Sequence, residues 1–256
     1  MPHHITITTD TGRDSVYVSA FKGILHSRIP NLNITELHAD VPMRDVKIAA
    51  FYVRHSGVHF PNDTLHIVDV DSSFILHHNL LYTRVDGKHF LALDNGVLSL
   101  IHPTQDIQVF QVKIPADVGP LRYHKFAFAA AHILNNTRTT DIFQPTISYL
   151  RFENPMPKIM ENRITAEVIY IDAFGNCITN LSHDFIEQHR KGRNVKVQLR
   201  MGENVQTIHN SYFEVDDGDY VCIVNGMGLM EIAMKNTNAS KLLGIRLKSP
   251  IIFEFE

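Results

Sequence analysis

The apolar positions in the first half of the chain switch between two rhythms. Ile5 and Ile7 alternate with threonine across residues 4–8, and residues 32–37 and 64–70 are short runs rich in β-branched side chains, as strands require. Between them, Val18, Phe21 and Leu25 in residues 14–27, and Ile48, Phe51, Tyr52 and His55 in residues 45–59, recur at helical spacing. This βαβαβ order predicts a largely parallel sheet with helices on its faces. Residues 80–85 and 89–93 flank Asp86-Gly87, a two-residue hairpin signal, so antiparallel strands join the sheet and make it mixed. A further helix is predicted over residues 123–134, where an alanine-rich centre permits close packing.

The pattern then changes. Residues 135–162 contain Pro145, Pro155 and Pro157 and hold no sustained periodicity, which predicts an interdomain connection. Beyond it, residues 164–171, 194–200, 204–209, 220–224 and 251–255 read as short strands, with Met201-Gly202 and Asp217-Gly218 as turns and helices only at 184–189 and 238–243. The expected architecture is an α/β amino-terminal domain with a mixed, largely parallel sheet between helices, followed by a small antiparallel β-barrel domain. The boundary falls between 1–160, which includes the connection from about 136, and 161–256.

Composition narrows the function. With 24 Lys+Arg against 27 Asp+Glu in 256 residues, the formal charge of -3 leaves no cation excess for a dedicated nucleic-acid binder. The longest apolar runs, 126–133 and 229–234, fall short of the roughly 20 residues of a membrane span. No charged segment leading into an apolar stretch opens the chain, and Cys177 and Cys222 have neither disulfide-scaffold nor zinc spacing, so a cytoplasmic protein is expected. The 16 histidines are the compositional oddity. His55 and His59 sit four apart, but without HExxH or a third ligand at a telling spacing, surface or packing roles are preferred and no metal is expected.

GxGxxG, GxxxxGK[ST] and GxSxG are all absent, which removes local support for dinucleotide, P-loop and α/β-hydrolase chemistry. Polar residues instead gather just after β-like runs: Asp10, Asp69, Asp71, and Asp94-Asn95-Gly96. In an α/β sheet that is where ligands bind, although Asp and Asn also favour such positions as caps and turns. Taken in order, Thr8-Thr9-Asp10-Thr11-Gly12, Tyr17-Val18 with Lys22-Gly23, Glu36-Leu37-His38, Phe60-Pro61-Asn62-Asp63-Thr64, His66 to Asp71, Asp94-Asn95-Gly96, Tyr170 to Asn176 with Thr179-Asn180, and Glu231 with Asn238-Ala239-Ser240 and Leu243-Gly244 form a series. This series resembles the S-adenosyl-L-methionine (SAM) hydroxide adenosyltransferases, relatives of fluorinases and chlorinases, over about residues 4–256.

The resemblance implies a trimer that holds SAM between neighbouring subunits and directs a water-derived hydroxide to C5', releasing adenosine and methionine without metal or cofactor. It implies that Asp10 holds the ribose hydroxyls, that Asp172 and Asn176 contact the amino-acid end of SAM, and that Asp94 and Asn95 form a turn near the ribose. Asn225, within Asn225-Gly226-Met227-Gly228, and Glu231 would border the adenine. The family's catalytic Asp, Arg and His occur in VDPGVGxxxR-like and TFHGRDxF-like stretches. Here Asp71 takes the Asp position with Asp69 as an extra carboxylate; on a continuing strand both side chains share a face, and proximity would raise the pKa of one. His78 stands where Arg is expected, Leu121 aligns with the His, and His124 is the nearest imidazole.

Two readings follow. In the first, Asp71 orients water and His78 or His124 accepts its proton, as an imidazole titrating near neutrality can. In the second, the protein binds SAM or adenosine with little or no hydrolysis. The first is preferred, because Asp71, Asp10, Asp172 and Asn176 are retained together. A halogenase is disfavoured, since no halide pocket of the family's type is recognisable.

Overall fold

The computed structural model describes residues 3–71, 79–135, 142–199 and 202–256. Two compact units divide the chain, Met1–Asn154 and Pro155–Glu256. The first is built on β1 (His3–Thr9), α1 (Val16–Arg28), β2 (Leu32–His38), α2 (Val46–Ser56), β3 (Leu65–Asp69), β4 (Leu80–Val85), β5 (Lys88–Leu93), α3 (Val97–Ile101), β6 (Val109–Val112), α4 (Arg122–Leu134) and β7 (Phe143–Thr146). Its seven strands lie in the order β2-β1-β3-β5-β4-β6-β7. The first four run parallel and the remainder join antiparallel, which is the mixed sheet expected from the alternating pattern.

Local chemistry starts and stops these elements. The Ser15 hydroxyl accepts from the Tyr17 N–H, and the Asp45 carboxylate accepts from both Lys47 and Ile48, capping α1 and α2. Asp86 and Gly87 both adopt positive φ, as a tight hairpin between β4 and β5 demands. Every residue of β3 is buried, because helices and neighbouring strands cover both of its faces. Phe126 of α4 reaches Phe21 of α1 with ring centres 6.3 Å apart, and Ala127, Ala129 and Ala130 are fully buried against the core.

The second unit contains β8 (Lys158–Met160), β9 (Arg163–Ile171), β10 (Cys177–Ser182), α5 (His183–Arg190), β11 (Val195–Gln198), β12 (Asn204–Val205), β13 (Tyr220–Val224), β14 (Leu229–Met234), α6 (Ala239–Leu242) and β15 (Pro250–Phe255). Its main order is β12-β11-β15-β9-β10-β14-β13, all antiparallel, with β8 added beside β9. β12 and β13, at the two ends of that order, approach each other, so the sheet is nearly closed and barrel-like.

Some elements depart from the sequence reading. The stretch read as a connection contains β7, which pairs with β6, and β8; Pro145 is tolerated because β7 is an edge strand. α3, β6, β10 and β14 were not anticipated. In β14 the first five residues are all buried, which erases the alternation that marks a half-exposed strand.

His66 of β3 shows how thoroughly the first unit excludes water. It is fully buried, its Nδ1 meets the Thr6 hydroxyl at 2.7 Å, and its ring stacks on Phe90. Burial, reinforced by Lys88, pulls its pKa down from 6.5 to about 4. The folded protein resists protonation that the unfolded chain accepts, so this contribution to stability is present above pH 6.5 and lost as pH falls towards 4. The stability of His66→Phe relative to the parent should therefore rise by up to about 3 kcal/mol as pH falls from 7 to 4.5, measured in urea titrations. A pH-independent gap would contradict this.

Candidate functional site

The carboxyl ends of β1 and β3 lie side by side, with Thr9 in register with Asp69. Asp10 follows directly, and Asp71 comes two residues after β3. The Asp71 N–H donates to both oxygens of Asp10 at 3.3 Å, and the Arg44 N–H donates to Asp10 Oδ2 at 2.9 Å. Asp10 thereby ties three loops together. A carboxylate offers about four lone-pair sites, so accepting these amides leaves capacity for further donors.

Into this group reaches Arg122, the first residue of α4. Its Nε lies 2.6 Å from Asp69 Oδ1 and its Nη1 3.7 Å from Asp71 Oδ2. The close contact is one of charge rather than an aligned hydrogen bond, since Asp69 Oδ1 is buried and has no hydrogen-bond partner among the described residues. No side chain caps α4, so its partly positive amino-terminal turn, with Leu121, Arg122 and Tyr123, borders the same cavity as Asp69. That cavity, about 280 Å³, is also lined by Ile7, Thr9, Thr11, Tyr17, Val18 and Phe21.

Burial raises Asp69 from 3.8 to about 6, against the opposing pull of Arg122, with Asp10 and Asp71 adding to the rise. Neighbouring carboxylates do push this pKa upward, as the sequence suggested, but desolvation is the larger cause. His124, on the first turn of α4, packs edge-on against Tyr123 and is not among the residues lining the cavity. His78 lies outside the described residues. Asp94 Oδ1 accepts from the Leu150 N–H at 2.8 Å. Asn95 is fully buried, donating to the Val70 carbonyl and accepting from the Val97 N–H, so it fixes the chain one residue before Asp71. The glycine after it is required twice over: Gly96 has φ 85°, and a Cβ there would come within 2.3 Å of the Phe152 ring.

A second cluster belongs to the barrel unit. Asp172 accepts from the Phe174 and Asn176 amides, each at 2.9 Å, and from Asn176 Nδ2 at 3.0 Å, closing the loop between β9 and β10. Gly175 within it has φ 89°, and a Cβ would collide with Asn238 at 2.2 Å. The Tyr212 hydroxyl donates to buried Glu231, and Asn225 Nδ2 donates to the other oxygen at 3.1 Å. Asn176 Nδ2 also reaches the Tyr212 oxygen at 3.5 Å, so Asp172, Asn176, Asn225 and Glu231 form one network through Tyr212. Burial and Glu231 push the Tyr212 pKa up, keeping it a donor.

Sequence reasoning missed Arg122 and Tyr212. The TFHGRDxF motif contains an Arg that the ungapped alignment sets at position 123, one place from Arg122, and that was the available signal. Tyr212 sits in a single 3-10 turn, which carries no periodicity.

The raised pKa of Asp69 has a stability consequence. Since the folded state favours the protonated carboxyl, the group's stabilising effect is present at low pH and lost as pH rises through about 6. Asp69→Asn should thus be more stable than the parent at pH 8, by up to about 3 kcal/mol, with the gap narrowing towards pH 4.5. Thermal unfolding across that range checks it, and a gap independent of pH would contradict the burial account.

Comparison with known proteins brings these observations together. The SAM hydroxide adenosyltransferase N-terminal domain matches residues 5–159, and the C-terminal domain of the same family matches residues 166–252. Proteins named (R)-S-adenosyl-L-methionine hydrolase are similar along nearly their whole length. The one from Methanocaldococcus jannaschii is 25% identical, covering 94% of this chain and 92% of its own. The one from Thermus thermophilus is 22% identical, covering 95% and 96%. Among solved structures, an uncharacterized conserved protein from Thermotoga maritima shares the fold with a TM-score of 0.86 at 22% identity, covering 97% of this chain and 99% of that one. A conserved hypothetical protein from Thermus thermophilus gives a TM-score of 0.77 at 21% identity, covering 99% and 100%. Both halves of the molecule are thus accounted for, and the chain belongs to the SAM hydroxide adenosyltransferase family.

Proposed function

We propose that the protein hydrolyses SAM to adenosine and L-methionine by attack of a water-derived hydroxide at C5'. Family membership and the hydrolase names of its relatives support the substrate class. The observation that carries the reading is Arg122, whose guanidinium lies between Asp69 and Asp71. In a chain with His78 where the family's Arg is expected, Arg122 supplies a permanent cation to both carboxylates and favours the ionised form of the acid it pairs with.

The chemistry suits such a site. A sulfonium is already a good leaving group, so the protein needs to align the oxygen with the C5'–S bond, remove bulk water and accept one proton. Hydroxide and sulfonium cancel each other's charge as they react, and an apolar surround such as Ile7, Val18, Phe21 and Leu121 hinders that step less than water does. In this reading Asp10 accepts from the ribose hydroxyls on lone pairs its backbone donors leave open, with Asp94 and Asn95 holding the turn near the ribose. Asp172 and Asn176 meet the amino-acid end, and Asn225 and Glu231 border the adenine. Assembly as a homotrimer with SAM between subunits, a cytoplasmic setting, and independence from metal and cofactor belong to the same proposal. Among the described residues, no helix is long and apolar enough to cross a membrane.

One observation favours the alternative, a SAM or adenosine binder with little turnover: His124 does not line the cavity that Asp69 and Arg122 share. Incubation with saturating SAM separates the two. The hydrolase reading expects adenosine and methionine in equal amounts, at a rate unchanged by prior dialysis against EDTA. SAM binding in calorimetry without product at high enzyme loading would establish the binder instead.

A further inference from the structure

We propose that a second cavity of the first unit, between the ends of α2 and α3 and the hairpin of β4 and β5, binds a small monocarboxylate with an apolar body. It lies at the amino ends of β3 and β5, whereas Asp69 and Arg122 meet at the carboxyl end of β3. At about 200 Å³ it is smaller than the roughly 300–1,000 Å³ of pockets that hold drug-sized ligands, and so suits a compact molecule. Buried Val53, Phe90 and Ile101 form apolar walls. Arg54 and Lys88 bring two cations to the same cavity.

Local acids do not match these cations. Among the described residues neither side chain makes an ion pair or a hydrogen bond, and desolvation lowers the Arg54 pKa with no carboxylate opposing it. The acid that lines the cavity, Asp86, accepts from Gln105 Nε2 at 3.1 Å. That bond orients the Gln105 amide so that its Oε1 accepts from His102 Nδ1, also at 3.1 Å. Burial lowers the pKa of His102 and holds it neutral. Two cations less one anion therefore leave a single positive charge, which selects a monoanion over a doubly charged phosphate. A guanidinium pairs with a carboxylate through two parallel N–H donors, and the apolar walls cover what the carboxylate is attached to. Arg54 stands in the last turn of α2, where a cation also complements the helix end, but that role requires neither Lys88 nor an apolar cavity.

Nuclear magnetic resonance titration of the full chain with benzoate, benzamide and inorganic phosphate tests this assignment. Benzoate should bind saturably with a Kd of about 1 mM or below, and both the neutral amide and the bare anion about tenfold more weakly. The amide resonances of Arg54, Lys88 and Phe90 should shift with that same Kd in the wild type, a readout that survives should a variant fail to fold. Arg54→Gln and Lys88→Gln should each weaken benzoate about tenfold. Absence of saturable benzoate binding up to about 10 mM, benzamide binding as tightly as benzoate, or undiminished affinity in either cation variant overturns the proposal and leaves Arg54 as a helix-end cation. No arm depends on SAM turnover, so the hydrolase reading stands or falls separately.

Discussion

The burial of Asp69 against Arg122 is the constraint on which the site depends. A carboxylate at the end of a strand buried on both faces cannot stay ionised cheaply, and this one sits beside two more, Asp10 and Asp71. The guanidinium at the start of α4 makes the arrangement tolerable without cancelling it, because desolvation still outweighs the ion pair. The packing of α4 therefore fixes where this cation stands. Its buried alanines and Phe126 hold the helix in the core of the first unit, and its first residue is thereby delivered to the carboxyl ends of β1 and β3.

The loops around this pair are organised by polar side chains spent on backbone. Asp10 collects the Asp71 and Arg44 amides, Asn95 anchors Val70, and Asp94 receives the Leu150 amide. Residues that read as ligand contacts in sequence are thus also the struts of the site. The same economy governs the barrel unit, where Asp172 folds its own loop and Asn225 both caps a turn and supports Glu231. A substitution at any of these positions alters geometry as well as contact, so binding measurements on them need a folding control.

Much of the first unit was legible because its elements have one face buried or a clear period: α1, α2, the β1 to β3 series and the Asp86-Gly87 hairpin. Among the elements that escaped were β14, buried along nearly all its length, and β7, a proline-bearing edge strand, where periodicity carries no signal. The site divides the same way. Asp10, Asp69 and Asp71 declared themselves by standing after apolar runs. Arg122 did not, because its importance comes from a long-range packing contact, and Tyr212 was hidden in an isolated 3-10 turn. His124, the imidazole nearest the expected position, stands two residues from that cation.

The central claim is that Asp69 is a buried carboxylate whose desolvation Arg122 offsets only in part, and its own titration reads that most directly. Carbon-13 carboxyl shifts of aspartate-labelled protein, assigned by comparison with Asp69→Asn, should show Asp69 titrating near 6. In Arg122→Gln the same resonance should titrate higher still. A wild-type midpoint at the ordinary aspartate value of 3.8, unmoved by loss of Arg122, would contradict the account.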